Sequence, residues 1–240
     1  MPAPTVLITG ATSGIGLGAA SQLSEAGWDV WVTGRDPERT KQAAAQSGGR
    51  PLTLDVTSDA SIQAAAGTVE ALDALVNNAG IQPDYGIELA DVDADLMRRS
   101  YETNVFGVVA VTNALLPALR RSPSPQIVNV SSGTASFAWS TGPNPQFDDE
   151  AAARNGGRFA VYRSSKAALN ALTLYYAQAL AGDGVRVNAL APGRRVTNLN
   201  PSDTGGDAAE GAAGIVTLLR LPADGPTGTL FSYDGTVAPW

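Results

Sequence analysis

Short runs rich in β-branched residues alternate with stretches of helical period along the whole chain, and no other feature restricts its fold as tightly. The runs are Thr5-Val6-Leu7-Ile8-Thr9, Asp29-Val30-Trp31-Val32-Thr33, Leu52-Thr53-Leu54, Ala74-Leu75-Val76-Asn77, Gln126-Ile127-Val128-Asn129-Val130, Val185-Arg186-Val187-Asn188-Ala189 and Thr229-Leu230-Phe231-Ser232. Helical patterns fall between them near 14–26, 37–46, 59–70, 91–119, 160–181 and 205–221. This alternation predicts an α/β protein with a doubly wound, mostly parallel seven-stranded sheet and helices on both faces. No internal repeat or low-complexity run divides the 240 residues, so the chain reads as one domain, 1–240. Ligands of such a sheet sit outside the carboxyl ends of its strands.

Composition narrows the chemistry. A net charge of −7, with acids spread along the sequence, argues against nucleic acid or an anionic membrane as the partner. Met1-Pro2-Ala3-Pro4 carries no basic leader and no apolar run is expected to span a membrane, so a cytoplasmic address is expected. There is no Cys, which excludes disulfides and thiol nucleophiles, and no His, which removes the commonest general base and metal ligand. No metal site is expected. Acid–base chemistry near neutrality falls to Tyr, Lys, Asp or Glu with shifted pKa values.

The strand ends carry the candidate residues. Thr9 closes the first strand and opens Gly10-Ala11-Thr12-Ser13-Gly14-Ile15-Gly16. Gly10 permits a sharp turn, Gly14 and Gly16 permit close backbone approach, and the N–H groups at the start of the next helix suit a pyrophosphate. The spacing is G-x-x-x-G-x-G rather than the commoner G-x-G-x-x-G. After the second strand, Gly34 occupies the slot where an acid would hold a ribose diol, and Arg35 and Arg39 follow it. A guanidinium there grips a 2′-phosphate, favouring NADP(H) over NAD(H); the alternative is two solvated surface arginines. Asp36 reads as a ribose acid or as the cap of the next helix. Asp55, followed by Val56, reads as an acceptor for the adenine amine or as a helix cap. Asn77-Asn78-Ala79-Gly80 ends the fourth strand, where small residues let the chain pass a ribose, although an ordinary Asn/Gly turn has the same composition. Asn104, an unfavourable residue inside a long helical stretch and near Gly107, predicts a buried hydrogen-bonding role or a local helix distortion. Ser131 and Ser132 end the fifth strand.

Tyr162-Arg163-Ser164-Ser165-Lys166 opens the helical pattern Ala167, Leu169, Leu172, Tyr176, Leu180, so Tyr162 and Lys166 share one helix face. A phenol of ordinary pKa about 10 needs roughly 3–4 kcal/mol of phenolate stabilisation to exchange protons near neutrality, and a nearby ammonium supplies part of it. The chain has only two lysines, so a Tyr-x-x-x-Lys pair is seldom accidental.

Taken in order, Thr9-Gly10-x-x-x-Gly14-Ile15-Gly16, Asn77-Asn78-Ala79-Gly80, Asn104, Ser132, Tyr162-x-x-x-Lys166 and Pro192-Gly193 resemble the motifs of the short-chain dehydrogenase/reductase family over essentially the whole length. The resemblance implies a Rossmann fold, Tyr162 as general acid/base, Lys166 as the residue that lowers its pKa and holds the nicotinamide ribose, and Ser132 as the donor to the substrate carbonyl. It also implies that Asn104 anchors a proton relay, that Asn78, Ala79 and Gly80 wall the adenosine side, and that Pro192-Gly193 to Thr197 cover the nicotinamide. Arg195 departs from the family, standing where a small apolar residue usually presents its backbone to the carboxamide.

Among members, carbonyl reductases are the most similar. Ser132 and Tyr162 are thirty residues apart, which marks an insertion at about 136–159 overhanging the active site; its aromatics either line a ketone pocket or pin the insertion down. The segment after Pro192-Gly193 is short, leaving no large lid, and Gly225 to Ser232 is similar to those reductases' C-terminal strand. The expected activity is hydride transfer between NADP(H) and a ketone or aldehyde. The alternatives are an NAD(H)-linked alcohol dehydrogenase, an enone C=C reductase, or a non-catalytic dinucleotide sensor. The small molecule is the expected partner, and monomer and homo-oligomer stay equally open.

Overall fold

In β1 (Thr5–Ile8), Val6 and Ile8 point to one face of the sheet and Leu7 to the other, and each face has its own apolar layer. The structure, a computed structural model, describes residues 2–146, 158–199 and 205–240. On the first face, α1 (Gly14–Glu25) packs Ala19, Ala20 and Leu23 against β2 (Asp29–Gly34), and α8 (Ala208–Leu219), lying beside α1, packs Ile215 and Leu219 against β5 (Gln126–Val130) and β6 (Arg186–Ala191). α2 (Pro37–Ser47) adds Ala43 and Ala44. On the second face, Ile62 of α3 (Asp59–Thr68), Leu115 and Leu119 of α5 (Gly107–Leu119) and Ala177 of α7 (Ala160–Ala179) cover Leu75 of β4 (Ala74–Asn77), Ile127 of β5 and Val187 of β6.

With β3 (Arg50–Thr53) and β7 (Leu230–Ser232), the strand order is β3-β2-β1-β4-β5-β6-β7-β8, parallel except for the last pair. The eighth strand, β8 (Val237–Ala238), adds antiparallel to the edge, where seven strands were expected; two residues leave no periodicity to read. The order reverses between β1 and β4, the switch point beside which Gly10 and Asn78 lie.

A polar seam runs through the second face. Asn77 Nδ2 donates to Asn129 Oδ1 at 2.9 Å and to Thr112 Oγ1 at 3.1 Å, and Asn129 Nδ2 donates to Thr173 Oγ1 at 2.9 Å. It fixes α5 and α7 against β4 and β5, since a buried amide without partners would cost about 1–3 kcal/mol.

The long helical stretch expected over 91–119 is α4 (Ala94–Tyr101), a π-turn at Glu102–Phe106, and α5. The run Ala94–Leu119 is long and apolar enough to cross a bilayer, contrary to the expectation that none would be, but half of its apolar window is buried inside the protein. Val111, Leu115 and Leu119 spend that apolarity on the sheet. Leu75→Ala, in the centre of β4, is expected to cost about 3 kcal/mol by leaving a cavity under α5, read as a lower urea midpoint.

Candidate active site

Gly10 has φ +63°, and a Cβ there would lie 2.8 Å from the Cα of Ala79, so the glycine turn presses on the end of β4. Asn78 stitches the two together. Its Nδ2 donates to the carbonyls of Thr9 (2.9 Å) and Gly10 (3.1 Å), while the N–H groups of Asn78 and Ala79 donate to Thr9 Oγ1 at 2.9 and 3.0 Å. Its amide is thus engaged by the turn. Ser13, the N-cap of α1, makes no side-chain bond to the helix, so the first-turn N–H groups keep no side-chain cap and suit an anion. Thr197 packs over this end: a Cβ on Gly14 would be 3.3 Å from Thr197 Cγ2, and Asn198 Nδ2 donates to Ser13 Oγ at 3.4 Å. Of the residues expected to cradle a dinucleotide, Thr197 thus lies against Gly14 at the start of α1, while Gly16 is buried beneath Gly10 and Asn78.

At the end of β2, a side chain on Gly34 would collide with Thr12 Cγ2 and lie 2.9 Å from Thr40 Oγ1, so an acid fits this slot only if the Thr12 and Thr40 side chains give way. Arg35 and Arg39 are exposed beside it. Asp36 caps α2, accepting from Arg39 N at 3.0 Å. Asp55 is not a cap; Ser58 caps α3. Its Oδ1 accepts from Thr57 N (2.9 Å) and Thr57 Oγ1 (2.8 Å), and these bonds hold the carboxyl below its usual range, with help from the Arg35 charge. The carbonyl of Val56 sits under Gly107, where a Cβ would approach it to 2.6 Å.

On α7, Lys166 is 3 % exposed and its Nζ donates to the carbonyl of Val130 at 2.7 Å. Burial pushes the lysine down to about 8. The nitrogen lies 5.9 Å from the centroid of the Tyr162 ring. Ser132, at the end of β5, is held by Thr134, whose N–H donates to Ser132 Oγ at 3.2 Å, and its hydroxyl stands near enough to the Tyr162 phenol to lower its pKa. Burial nevertheless pushes Tyr162 up to about 12, outweighing Ser132, and the Asp84 charge raises it further. Within the chain itself the Lys166 amine is turned to Val130, and burial dominates the phenol.

Asn104 behaves as its position in the sequence predicted. The π-turn puts its side chain inside, where Oδ1 accepts from Ile81 N and Nδ2 donates to the Ile81 carbonyl and Ser165 Oγ, each at 2.9 Å. A Cβ on Gly80 would meet Asn104 Oδ1 at 3.3 Å and Lys166 Nζ at 3.4 Å, so Gly80, Asn104 and Lys166 converge on one spot. Arg195 is buried. Its Nε donates to the Pro192 carbonyl at 2.7 Å, its Nη1 pairs with Glu210, and its guanidinium lies 4.2 Å over the Tyr233 ring. The side chain therefore pins the loop. In the insertion, Trp139 of α6 (Phe137–Thr141) is buried with Ala189, Ala191 and Leu230, so this aromatic anchors; Phe137 is exposed. Residues 147–157 of the insertion, Phe147 to Glu150 among them, lie outside the described residues, as do residues 200–204.

Sequence reasoning missed Asp84 and Gln146. Gln146 Nε2 donates to the Ala191 carbonyl and Ser232 Oγ, both at 2.9 Å, tying the insertion to the ends of β6 and β7. Asp84 sits in Pro83-Asp84-Tyr85-Gly86, whose composition reads as a plain turn, while its partners lie 77 and 78 residues away.

A doubly wound sheet with this cluster at its switch point defines a nucleotide-dependent oxidoreductase site. The family model described as short chain dehydrogenase matches residues 4–144, and one described as Enoyl-(Acyl carrier protein) reductase matches residues 149–220. The chain belongs to the short-chain dehydrogenase/reductase family. It is 35% identical over 244 residues to a short-chain dehydrogenase, anuI, of Penicillium roqueforti, spanning 95% of this chain and 92% of that protein. It is also 35% identical to sulfoacetaldehyde reductase 2 of Chromohalobacter salexigens, over 97% of this chain and 88% of that one. Among solved structures it is similar to an NADPH-bound carbonyl reductase from chicken fatty liver, with a TM-score of 0.83, 28% identity and 100% of both chains covered.

Asn78→Ala leaves the Thr9 and Gly10 carbonyls unbonded. A loss of about 1–2 kcal/mol in stability is expected, with weaker dinucleotide binding in a fluorescence titration.

Proposed function

We propose that the protein is an NADP(H)-dependent carbonyl reductase, or alcohol dehydrogenase in reverse, with Tyr162 as the acid/base. The observation that carries this is the convergence of Ser132, Tyr162, Lys166, Asn104 and Gly80 beside the glycine turn. The residues fit the cofactor: the uncapped start of α1 suits its pyrophosphate, and the Gly80 gap beside Lys166 suits a ribose. When bound, the nicotinamide supplies or accepts the hydride. Ser132 hydrogen-bonds the substrate oxygen, Tyr162 delivers a proton to it as negative charge grows there, and Lys166 carries positive charge beneath the pair. A phenol raised to about 12 is protonated across the neutral range, the form a reduction requires.

The crowded slot at Gly34 and the neighbouring Arg35 and Arg39 support NADP(H), and the chicken enzyme binds NADPH. The match of residues 149–220 to the enoyl reductase model favours one second reading, reduction of an activated C=C bond. Product analysis with an enone separates the two, an allylic alcohol supporting the first and a saturated ketone the second.

NADPH oxidation against a panel of aldehydes and ketones, sulfoacetaldehyde included, with NADH in parallel, tests the reading. Tyr162→Phe is expected to lower kcat about 10²–10⁴-fold, and turnover within a few-fold of the parent protein overturns it. Arg35→Ala is expected to raise KM for NADPH about tenfold or more and leave that for NADH unchanged. Reduction needs the protonated phenol and oxidation the phenolate, so reduction is expected to fall, and oxidation to rise, as pH passes upward through the Tyr162 pKa in the bound complex, read from kcat–pH profiles in both directions.

A further inference from the structure

The first turn of α7 is held from outside by the segment that follows Gly80. Asp84 is 1 % exposed, and its Oδ2 accepts from the N–H groups of Val161 (2.9 Å) and Tyr162 (3.3 Å). Its Oδ1 is buried and has no hydrogen-bond partner among the described residues. The Tyr85 ring packs on that of Phe159 with centroids 5.6 Å apart, and Glu88 pairs with Arg158 at 3.3 Å. Phe159, the N-cap, has φ +57° and gives α7 no side-chain cap, so Asp84 takes over that task from a distance in sequence. The same segment is fixed at its other end, where Ile81 exchanges two hydrogen bonds with Asn104.

Resting on the reading of Tyr162 as the acid/base, we propose that Asp84 is its positioning residue. Its carboxylate clamps the backbone of Tyr162 to the segment that leaves the cofactor wall at Gly80, and its charge adds to the proton affinity that burial gives the phenol. The clamp sets where the phenol stands; the charge shifts when it gives up its proton. A carboxylate bonded to the backbone of the same residue favours the neutral phenol over the phenolate, and burial leaves little solvent to screen it. Among the described residues, the other charged groups of this region of α7 are Lys166, bonded to Val130, and Arg163, which donates to the Thr134 carbonyl and Ser140 Oγ. From the π-turn packed against α7, Glu102 is exposed, and the Glu88–Arg158 pair lies at the surface.

Asp84→Asn keeps an oxygen for the two amides and removes the charge; Asp84→Ala removes both. With the best substrate of the aldehyde and ketone panel, Asp84→Asn is expected to keep kcat at its optimum within threefold. It should move the alkaline limb of reduction and the acidic limb of oxidation to lower pH by at least half a unit. Asp84→Ala is expected to lower kcat at least tenfold and to speed amide hydrogen exchange at Val161 and Tyr162 at least tenfold, an effect visible without any substrate. Unmoved limbs in Asp84→Asn, or unchanged exchange in Asp84→Ala, overturn the proposal. Tyr162→Phe run alongside separates the two readings: if it stays active, the assignment of the acid fails, whereas if it is dead and the Asp84 variants match the parent, only the clamp fails.

Discussion

A lysine nitrogen taken out of water must find an acceptor, and in this protein Lys166 finds the last carbonyl of β5. That one bond holds α7 to the carboxyl edge of the sheet at the level of Ser132, and so brings the phenol to the serine. The seam from Asn77 through Asn129 to Thr173 repeats the same logic two turns further along the helix. Buried polar groups, each obliged to be satisfied, thus set the registry of α7 on β5 that hydrophobic contacts alone would leave free to slide.

Electrostatics at this edge works against ionisation. Burial disfavours both the phenolate and the ammonium, so Tyr162 is driven up and Lys166 down. The two groups stay near one another without forming an ion pair, and the chain by itself holds a phenol ready to donate. Charge arriving with a ligand then acts in a poorly screened cleft, where it counts for more than at the surface.

Much of the architecture was legible because each sheet face follows period two and each covering helix follows 3.6. The glycine turn, Asn78, Asn104 and the Tyr162–Lys166 face were readable for a related reason: their chemistry is local or lies at a strand end, and the distortion at Asn104 follows from a polar residue in a long apolar helix. What escaped depends on distance in sequence. Asp84 resembles any turn aspartate until α7 is placed over it, Gln146 gains meaning only when the insertion meets β6 and β7, and β8 is too short for any pattern. The guanidinium of Arg195 looked like an intrusion into the cofactor loop because its composition was visible and its direction was not; Glu210 and Tyr233 give it somewhere else to go.

The π-turn at Glu102–Phe106 also has an evolutionary side. One residue more than an α-helix needs turns everything downstream by about 100° about the axis, so the half carrying the polar α4 surface and the half carrying Val111, Leu115 and Leu119 are phased independently. A lineage that shed this residue would have to exchange a whole stripe of side chains at once to keep its interior dry, which makes the irregularity hard to lose once acquired.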